Sequence, residues 1–301
     1  MSAAALLACD WGSTNLRAWV MDADGRVLTG QDFKLGVNGL APGEAGRRFV
    51  EEVRPALKAE ALPALLCGAI GSNIGWRIAP YADCPARIED VAGGLIQPMD
   101  QVWIAPGLRC EVLDGACDVL RGEETQAFGW LGADPARARG RKLICQPGTH
   151  AKWLVVEDGV ATRFLSAFTG ELFAVLSAHS ILRNAGAGED LATFDEGCAA
   201  AGEGDALLNR IYTARSRVAG RGADNATTGA YLSGLLIGAE VAATPRLLGL
   251  EGEPVTLLGD KALCDRYARA LGARGVETDI ADGEVAVRAG LATIARLGGL
   301  L

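Results

Sequence analysis

Short apolar runs separated by polar turns open the chain. Leu6 to Cys9 is apolar and long enough for a buried strand. Leu16 to Met21 is a second run, in which Trp19 and Val20 favour strand. Asp22-Ala23-Asp24-Gly25 reads as a turn, and Arg26 to Thr29 supplies a third strand. The three predict an antiparallel meander. The same succession returns from Lys142. There Leu143 to Cys145, a Gly148-Thr149 turn and Trp153 to Val156 predict a hairpin. Glu157-Asp158-Gly159 is its next turn, and Val160 to Ala167 its third strand. Two meanders of one design, each with glycine and a hydroxyl residue in the first turn, predict an internal repeat at the scale of a domain.

Between and after the meanders the pattern alternates strands with helices. Glu44 to Ala59 has helical spacing, with Phe49, Val53 and Leu57 on one face and Pro55 as an interruption. Ala64 to Gly71 predicts a buried strand that breaks into the polar loop Ser72-Asn73-Ile74-Gly75-Trp76-Arg77, and Gln101 to Ala105 another strand. Residues 117–131 predict a helix, with Asp118 as its N-cap. Pro135 to Arg141 is linker-like and sets an expected boundary between domains 1–140 and 141–301.

In the second half, Thr169 to Leu182 predicts a helix, residues 184–190 a glycine-rich loop, and 191–218 mostly helix. Ala226 to Ala243, rich in small residues, predicts a tightly packed interior helix. Val255 to Asp260 is a buried strand ending in glycine, followed by a helix from Lys261 to Leu271. Val276 to Ile280 is a last strand, and Glu284 to Leu297 a closing helix.

Composition narrows the function. The chain has 301 residues, half of them hydrophobic, enough for about two domains. The net charge of −8 has no basic run against it, which argues against nucleic acid as a partner. No uncharged apolar segment approaches the roughly 20 residues of a membrane span, and the N-terminal apolar run lacks the basic flank of a signal peptide. The eight cysteines show no Cys-x-x-Cys spacing, which argues against zinc and fits a reducing cytoplasm.

Candidate chemistry sits in the turns. Gly12 lets backbone approach a ligand, and the amides and hydroxyls of Ser13 and Thr14 suit phosphate oxygens. Asp10, at the end of a buried strand, suits Mg²⁺ held through its water shell. Gly259 leaves room for a flat ring against the backbone.

Taken in order, five segments resemble one known family. They are Asp10 to Trp19, Gly71 to Trp76, Asp118 to Gln126, Pro147 to Trp153 and Thr169 to Phe173. Together they are similar to the 2-dehydro-3-deoxygalactonokinases, within the actin, heat-shock ATPase and sugar-kinase superfamily. The resemblance implies an α/β fold of two ribonuclease-H-like domains flanking a nucleotide cleft. It implies ATP-dependent phosphorylation of 2-dehydro-3-deoxy-D-galactonate at its 6-hydroxyl, in galactonate breakdown, with Mg²⁺. Phosphate binding then falls to Gly12, Ser13, Thr14, Gly148 and Thr149, and adenosine binding to Gly259. Gln146-Pro147 stands where the wider superfamily usually has an acidic residue, a departure that counts against a base in the second hairpin.

Phosphoryl transfer also needs a group to take the hydroxyl proton. The expected base is Asp118, with Asp10 its rival. Glu123 and Glu124 are expected as sugar-hydroxyl and metal-water ligands respectively, and Ser72 and Asn73 as sugar contacts. A cation should face the sugar acid's carboxylate, and Arg77, Arg109, Arg121 and Lys152 are the candidates. His150 reads equally as a structural histidine or a substrate contact. Two other functions stay open: a kinase of another sugar acid, and a nucleotide-driven activator ATPase without a sugar substrate. The oligomeric state is open too, a homodimer included.

Overall fold

The computed structural model describes residues 3–183 and 189–301. The expected glycine-rich loop at 184–190 therefore lies mostly outside the described residues. The chain forms two compact units. One comprises residues up to Arg141, Val156–Arg163 and Gly283–Leu301; the other comprises Lys142–Val155 and Phe164–Asp282. The units are thus not the consecutive halves 1–140 and 141–301, because the chain returns to the first unit at its end.

The first unit opens with the expected meander, β1 (Ala4–Trp11), β2 (Leu16–Asp22) and β3 (Val27–Phe33). Helical turns α1 (Glu44–Arg48) and α2 (Arg54–Ala56) flank a π-turn at Phe49–Val53, and Pro55 sits near their end as the sequence suggests. Then come β4 (Ala64–Cys67), β5 (Tyr81–Asp83), α3 (Ile88–Gly93), β6 (Ile96–Met99) and β7 (Val102–Ile104). The main sheet has the order β3-β2-β1-β4-β7-β6, with β4 parallel to β1 and to β7. Its core gathers Leu7, Cys9, Trp11, Leu16, Phe49, Val53, Leu66 and Ile104.

A second, three-stranded sheet joins β5, β8 (Gly107–Val112) and β9 (Ala116–Leu120). Here the structure corrects the expected helix over 117–131. Residues 116–120 are strand, paired antiparallel to β8 with Cys110 opposite Asp118. The helix α4 begins only at Glu123 and runs to Gly132, with Gly122 in front of it at φ +105°. Asp118 is therefore not a helix cap.

The second unit repeats the meander in β10 (Arg141–Gln146), β11 (Ala151–Glu157) and β12 (Val160–Ala167), although Val156–Arg163, around the β11–β12 turn, group with the first unit. Helices α5 (Thr169–His179), α6 (Leu191–Ala201), α7 (Leu207–Ile211), α8 (Thr213–Arg221) and α9 (Thr228–Leu247) follow. β13 (Val255–Gly259), α10 (Lys261–Gly272) and β14 (Thr278–Asp282) complete it. The sheet order is β12-β11-β10-β13-β14, with β13 parallel to β10 and to β14. Small residues let α9 run against α6: a Cβ on Gly234 would lie 1.9 Å from the Phe194 carbonyl oxygen. That is the interior packing expected of this helix.

The closing helix α11 (Gly283–Leu297) belongs to the first unit and packs on α4. A Cβ on Gly290 would come within 2.0 Å of the Thr125 carbonyl oxygen. No described helix is long and apolar enough to cross a membrane.

Candidate active site

The first hairpin turn is built to be rigid behind and open in front. Gly12 N–H donates to Asn15 O at 2.9 Å, closing the turn between β1 and β2. A strap at 36–38 braces it from the far side. Val37 N–H donates to Gly12 O and Asn38 N–H to Ser13 O, both at 3.1 Å. Gly36 makes this possible, since a Cβ there would sit 2.2 Å from the Thr14 carbonyl carbon. Gly12 is different: its φ is not positive, and a Cβ would meet nothing nearer than 3.5 Å. Neither backbone conformation nor packing asks for glycine at 12, which leaves room for a ligand as the use of the bare backbone. Ser13, Thr14, Lys34, Asn38 and Arg48 line a pocket of about 400 Å³ beside the turn.

The second hairpin repeats this construction. Gly148 is equally uncrowded: a Cβ on it would meet nothing nearer than 4.0 Å. Its brace is the start of α5. Glu171 N–H donates to Thr149 O at 2.9 Å, and a Cβ on Gly170 would lie 2.3 Å from Gly148 O. His150 Nε2 meets Glu171 Oε2 at 2.5 Å, and the His150 ring stacks on Phe168 at 5.1 Å between centroids. At Gly259, which ends β13, a Cβ would have Pro147 O as its nearest neighbour, at 3.6 Å. The next residue, Asp260, caps α10 by accepting the Leu263 N–H at 3.0 Å.

Asp10 ends β1 inside the first unit. Its Oδ2 accepts from Arg17 Nη2 at 2.7 Å, and its Oδ1 lies 3.9 Å from the Cys67 thiol at the end of β4. Burial raises the Asp10 pKa, and the Arg17 guanidinium opposes that rise. Burial, with Asp10 and Glu124 adding negative charge nearby, lifts the Cys67 thiol well above its usual range, so it stays protonated as a donor. The chain then turns at Gly68, with φ +88°. A Cβ at that glycine would be 2.9 Å from Trp11 O and 3.2 Å from Asp10 Oδ1.

The start of α4 meets this corner. A Cβ on Gly122 would lie 3.0 Å from Gly68 Cα. Glu123 Oε2 accepts the Arg121 N–H at 2.9 Å. Glu124 is fully buried, and its oxygens are taken by the Gly122 N–H and the Thr125 hydroxyl, both at 2.7 Å. Burial pushes its pKa up to about 7. This corrects the expectation of Glu124 as a metal-water ligand, because a carboxylate sealed from solvent and bonded on both oxygens does not present itself to a hydrated ion.

The Arg121 guanidinium lies over the Tyr81 ring at 4.3 Å and donates through Nη2 to Ala79 O at 2.8 Å. Its Nε and Nη1 are buried without a hydrogen-bond partner, as is the Ser72 hydroxyl. Asn73 and Arg77 are exposed on the same loop as Ser72. Arg109 is excluded as a free cation by its two hydrogen bonds to Asp83, at 2.7 and 3.0 Å. Lys152 is buried in β11 of the second unit. Asp118 is half-buried in β9, where its Oδ1 accepts its neighbour Val119's N–H at 2.7 Å. The structure thus assembles Asp10, Cys67, Gly68, Gly122 and Glu124 at one corner. Cys67, Gly68 and Gly122 escape sequence reasoning, although a glycine directly after a buried strand is a signal for the second of them.

Comparison with known proteins fits this picture. The activator of 2-hydroxyisocaproyl-CoA dehydratase from Clostridium difficile, solved with bound ADPNP, shares the fold at 12% identity. The match has a TM-score of 0.51 and covers 98% of this chain and 95% of that one. The family match and the full-length relatives define a kinase acting on a sugar acid. The chain belongs to the 2-keto-3-deoxy-galactonokinase family, whose model matches residues 10–294. It is 35% identical over 295 residues to the 2-dehydro-3-deoxygalactonokinase of Escherichia coli K12, covering 96% of this chain and 97% of that protein. A Sinorhizobium meliloti protein, solved as a candidate 2-dehydro-3-deoxygalactonokinase, superposes with a TM-score of 0.84 at 32% identity, covering 97% and 98% of the two chains.

Proposed function

We propose that this chain transfers the terminal phosphoryl group of ATP to the 6-hydroxyl of 2-dehydro-3-deoxy-D-galactonate. The observation that carries the reading is the shared construction of the two hairpins. Gly12 and Gly148 are both uncrowded, and each turn is braced from behind by a second glycine, Gly36 or Gly170. In the first unit, the Gly12, Ser13 and Thr14 turn offers amides and hydroxyls to phosphate oxygens. In the second unit, Gly148 and Thr149 offer the same, and the open backbone at Gly259 accepts the adenine ring.

Among the described residues no group of three His, Cys, Asp or Glu side chains could hold a metal by itself. Mg²⁺ commonly travels on nucleotide phosphates with one or two carboxylates. Asp10 would hold it through water, and the ion would neutralise phosphate charge there.

The base assignment changes. The expectation for Asp118 rested on its opening the helix before the crossing into the second unit, and the structure gives that place to Glu123. Glu123 is partly exposed, and its Oε2 is fixed by the Arg121 N–H. We assign it the acceptor hydroxyl, which it orients and deprotonates, while buried Glu124 secures the turn beneath it. Arg121, with two unpartnered nitrogens and Ser72 on the adjacent loop, is assigned the substrate carboxylate. A planar guanidinium matches a carboxylate in a bidentate way.

The test is ADP release by purified protein with ATP and Mg²⁺ across a panel of 2-dehydro-3-deoxy sugar acids. Turnover confined to the galactonate-derived acid supports the proposal. Turnover with a different acid moves the substrate, and ATP hydrolysis indifferent to any acid replaces the kinase with an ATPase.

A further inference from the structure

We infer that Glu240 is a positioning residue for the nucleotide, the node through which the second phosphate hairpin and the segment after Gly259 are held in register. Glu240 lies in the middle of α9 and is 6% exposed. Its Oε1 accepts the Trp153 indole N–H at 2.6 Å, and its Oε2 accepts the Tyr267 hydroxyl at 2.8 Å. The Thr169 hydroxyl also hydrogen-bonds to it.

Burying a carboxylate among neutral donors is expensive, and an apolar residue of similar volume would fill the space at less cost. The donors explain the choice. They come from three elements, and each element adjoins a segment assigned to ATP. Trp153 stands on β11 directly after the second hairpin. Thr169 opens α5, and the following residue, Gly170, presses on Gly148 and Thr149 from behind. Tyr267 stands on α10, which Asp260 caps immediately after Gly259. The hairpin and that turn are themselves neighbours, through Pro147 O and Gly259. One carboxylate therefore ties the phosphate-side backbone to the adenosine-side backbone from inside the unit. Glu240 touches no ligand; it fixes the elements that do, and a fully satisfied buried network of this kind specifies one arrangement.

The inference rests on the proposal that these segments bind ATP. Its test measures equilibrium ATP binding and steady-state kinetics for the wild type and for Glu240→Gln. Two milder variants, Tyr267→Phe and Trp153→Phe, each remove one tie. Leu236→Ala, an apolar truncation in the same helix, is the control for general destabilisation. The expected result is a rise of about tenfold or more in the ATP Kd and KM for Glu240→Gln, a smaller rise for each single-tie variant, and an unchanged KM for the sugar acid. A KM change without an equal kcat change marks lost binding rather than lost chemistry. Should Glu240→Gln fail to fold, the two single-tie variants decide by the same criterion. ATP affinity unchanged in the variants, or weakened equally by Leu236→Ala, overturns the positioning role while leaving the kinase proposal intact. A wild type that binds no ATP removes both.

Discussion

Gly122 and Gly68 touch across the corner that carries Asp10: a Cβ on Gly122 would fall 3.0 Å from Gly68 Cα, and both residues have positive φ, +105° and +88°. Alanine at either position is strained by its backbone alone, at a cost of about 1–3 kcal/mol. The two substitutions differ in what they push. At 122 the new methyl meets only another glycine. At 68 it meets Trp11 O and Asp10 Oδ1 at 2.9 and 3.2 Å. Gly68→Ala should therefore lower kcat much further than Gly122→Ala for a similar loss in thermal midpoint. Equal kcat losses at equal stability would show that the corner does not position Asp10.

A second pair of glycines fastens the end of the chain to the first unit. A Cβ on Gly129 of α4 would lie 2.5 Å from Gly290 N, and one on Gly290 would lie 2.0 Å from Thr125 O. Those neighbours are backbone and cannot swing aside. Gly290→Ala should destabilise the protein by about 1–3 kcal/mol or more, as overpacking does. Because α4 carries Glu123, activity should fall with it. Denaturant titration gives the stability change, and a Gly290→Ala protein of wild-type stability would contradict the close approach of the two helices.

The hairpins are legible in the sequence because apolar runs broken by Asp, Gly, Ser and Thr carry strand and turn signals locally. The misassigned segment is 117–122. Strand β9 is fixed by its ladder to β8, with Glu111 opposite Cys117 and Cys110 opposite Asp118, and that pairing leaves no mark in a helical window read alone. Gly122 inside the expected helix is a warning the sequence does contain, since glycine costs a helix interior about 1 kcal/mol relative to alanine. The destination of α11 is illegible for another reason. Its amphipathic pattern states that it packs, and only the three-dimensional path shows that it packs on α4. The braces Gly36 and Gly170 are likewise visible only once backbone distances are known.

The carboxylate assignments separate cleanly by substitution. Asp10→Asn removes the charge proposed to face the metal, and Glu123→Gln removes the proposed base. Losing general-base catalysis typically costs about 10²–10⁴ in rate. Glu123→Gln should lower kcat by that order with a small effect on the ATP KM. Asp118→Asn, on a half-buried strand position, should keep kcat within a few-fold of wild type. A fully active Glu123→Gln beside an inactive Asp118→Asn would return the base to β9.

Glu124 gives stability a pH dependence of known sign. Burial raises its pKa from 4.5 to about 7, so the folded protein binds a proton that the unfolded chain has released across that interval. Where the folded state binds more protons, stability falls as pH rises. The loss begins near 4.5, is complete above about 7, and amounts to on the order of 3 kcal/mol at 1.36 kcal/mol per tenfold step. Asp10 and Glu240 are shifted in the same direction by burial, so the wild-type slope has several sources. Glu124→Gln isolates one of them, because glutamine does not titrate and keeps a carbonyl oxygen for one of the two donors. Urea midpoints measured from pH 5 to pH 8 should fall less steeply for Glu124→Gln than for wild type, the two curves converging or crossing toward high pH. Parallel curves would mean that Glu124 titrates in the folded protein as it does in the unfolded chain.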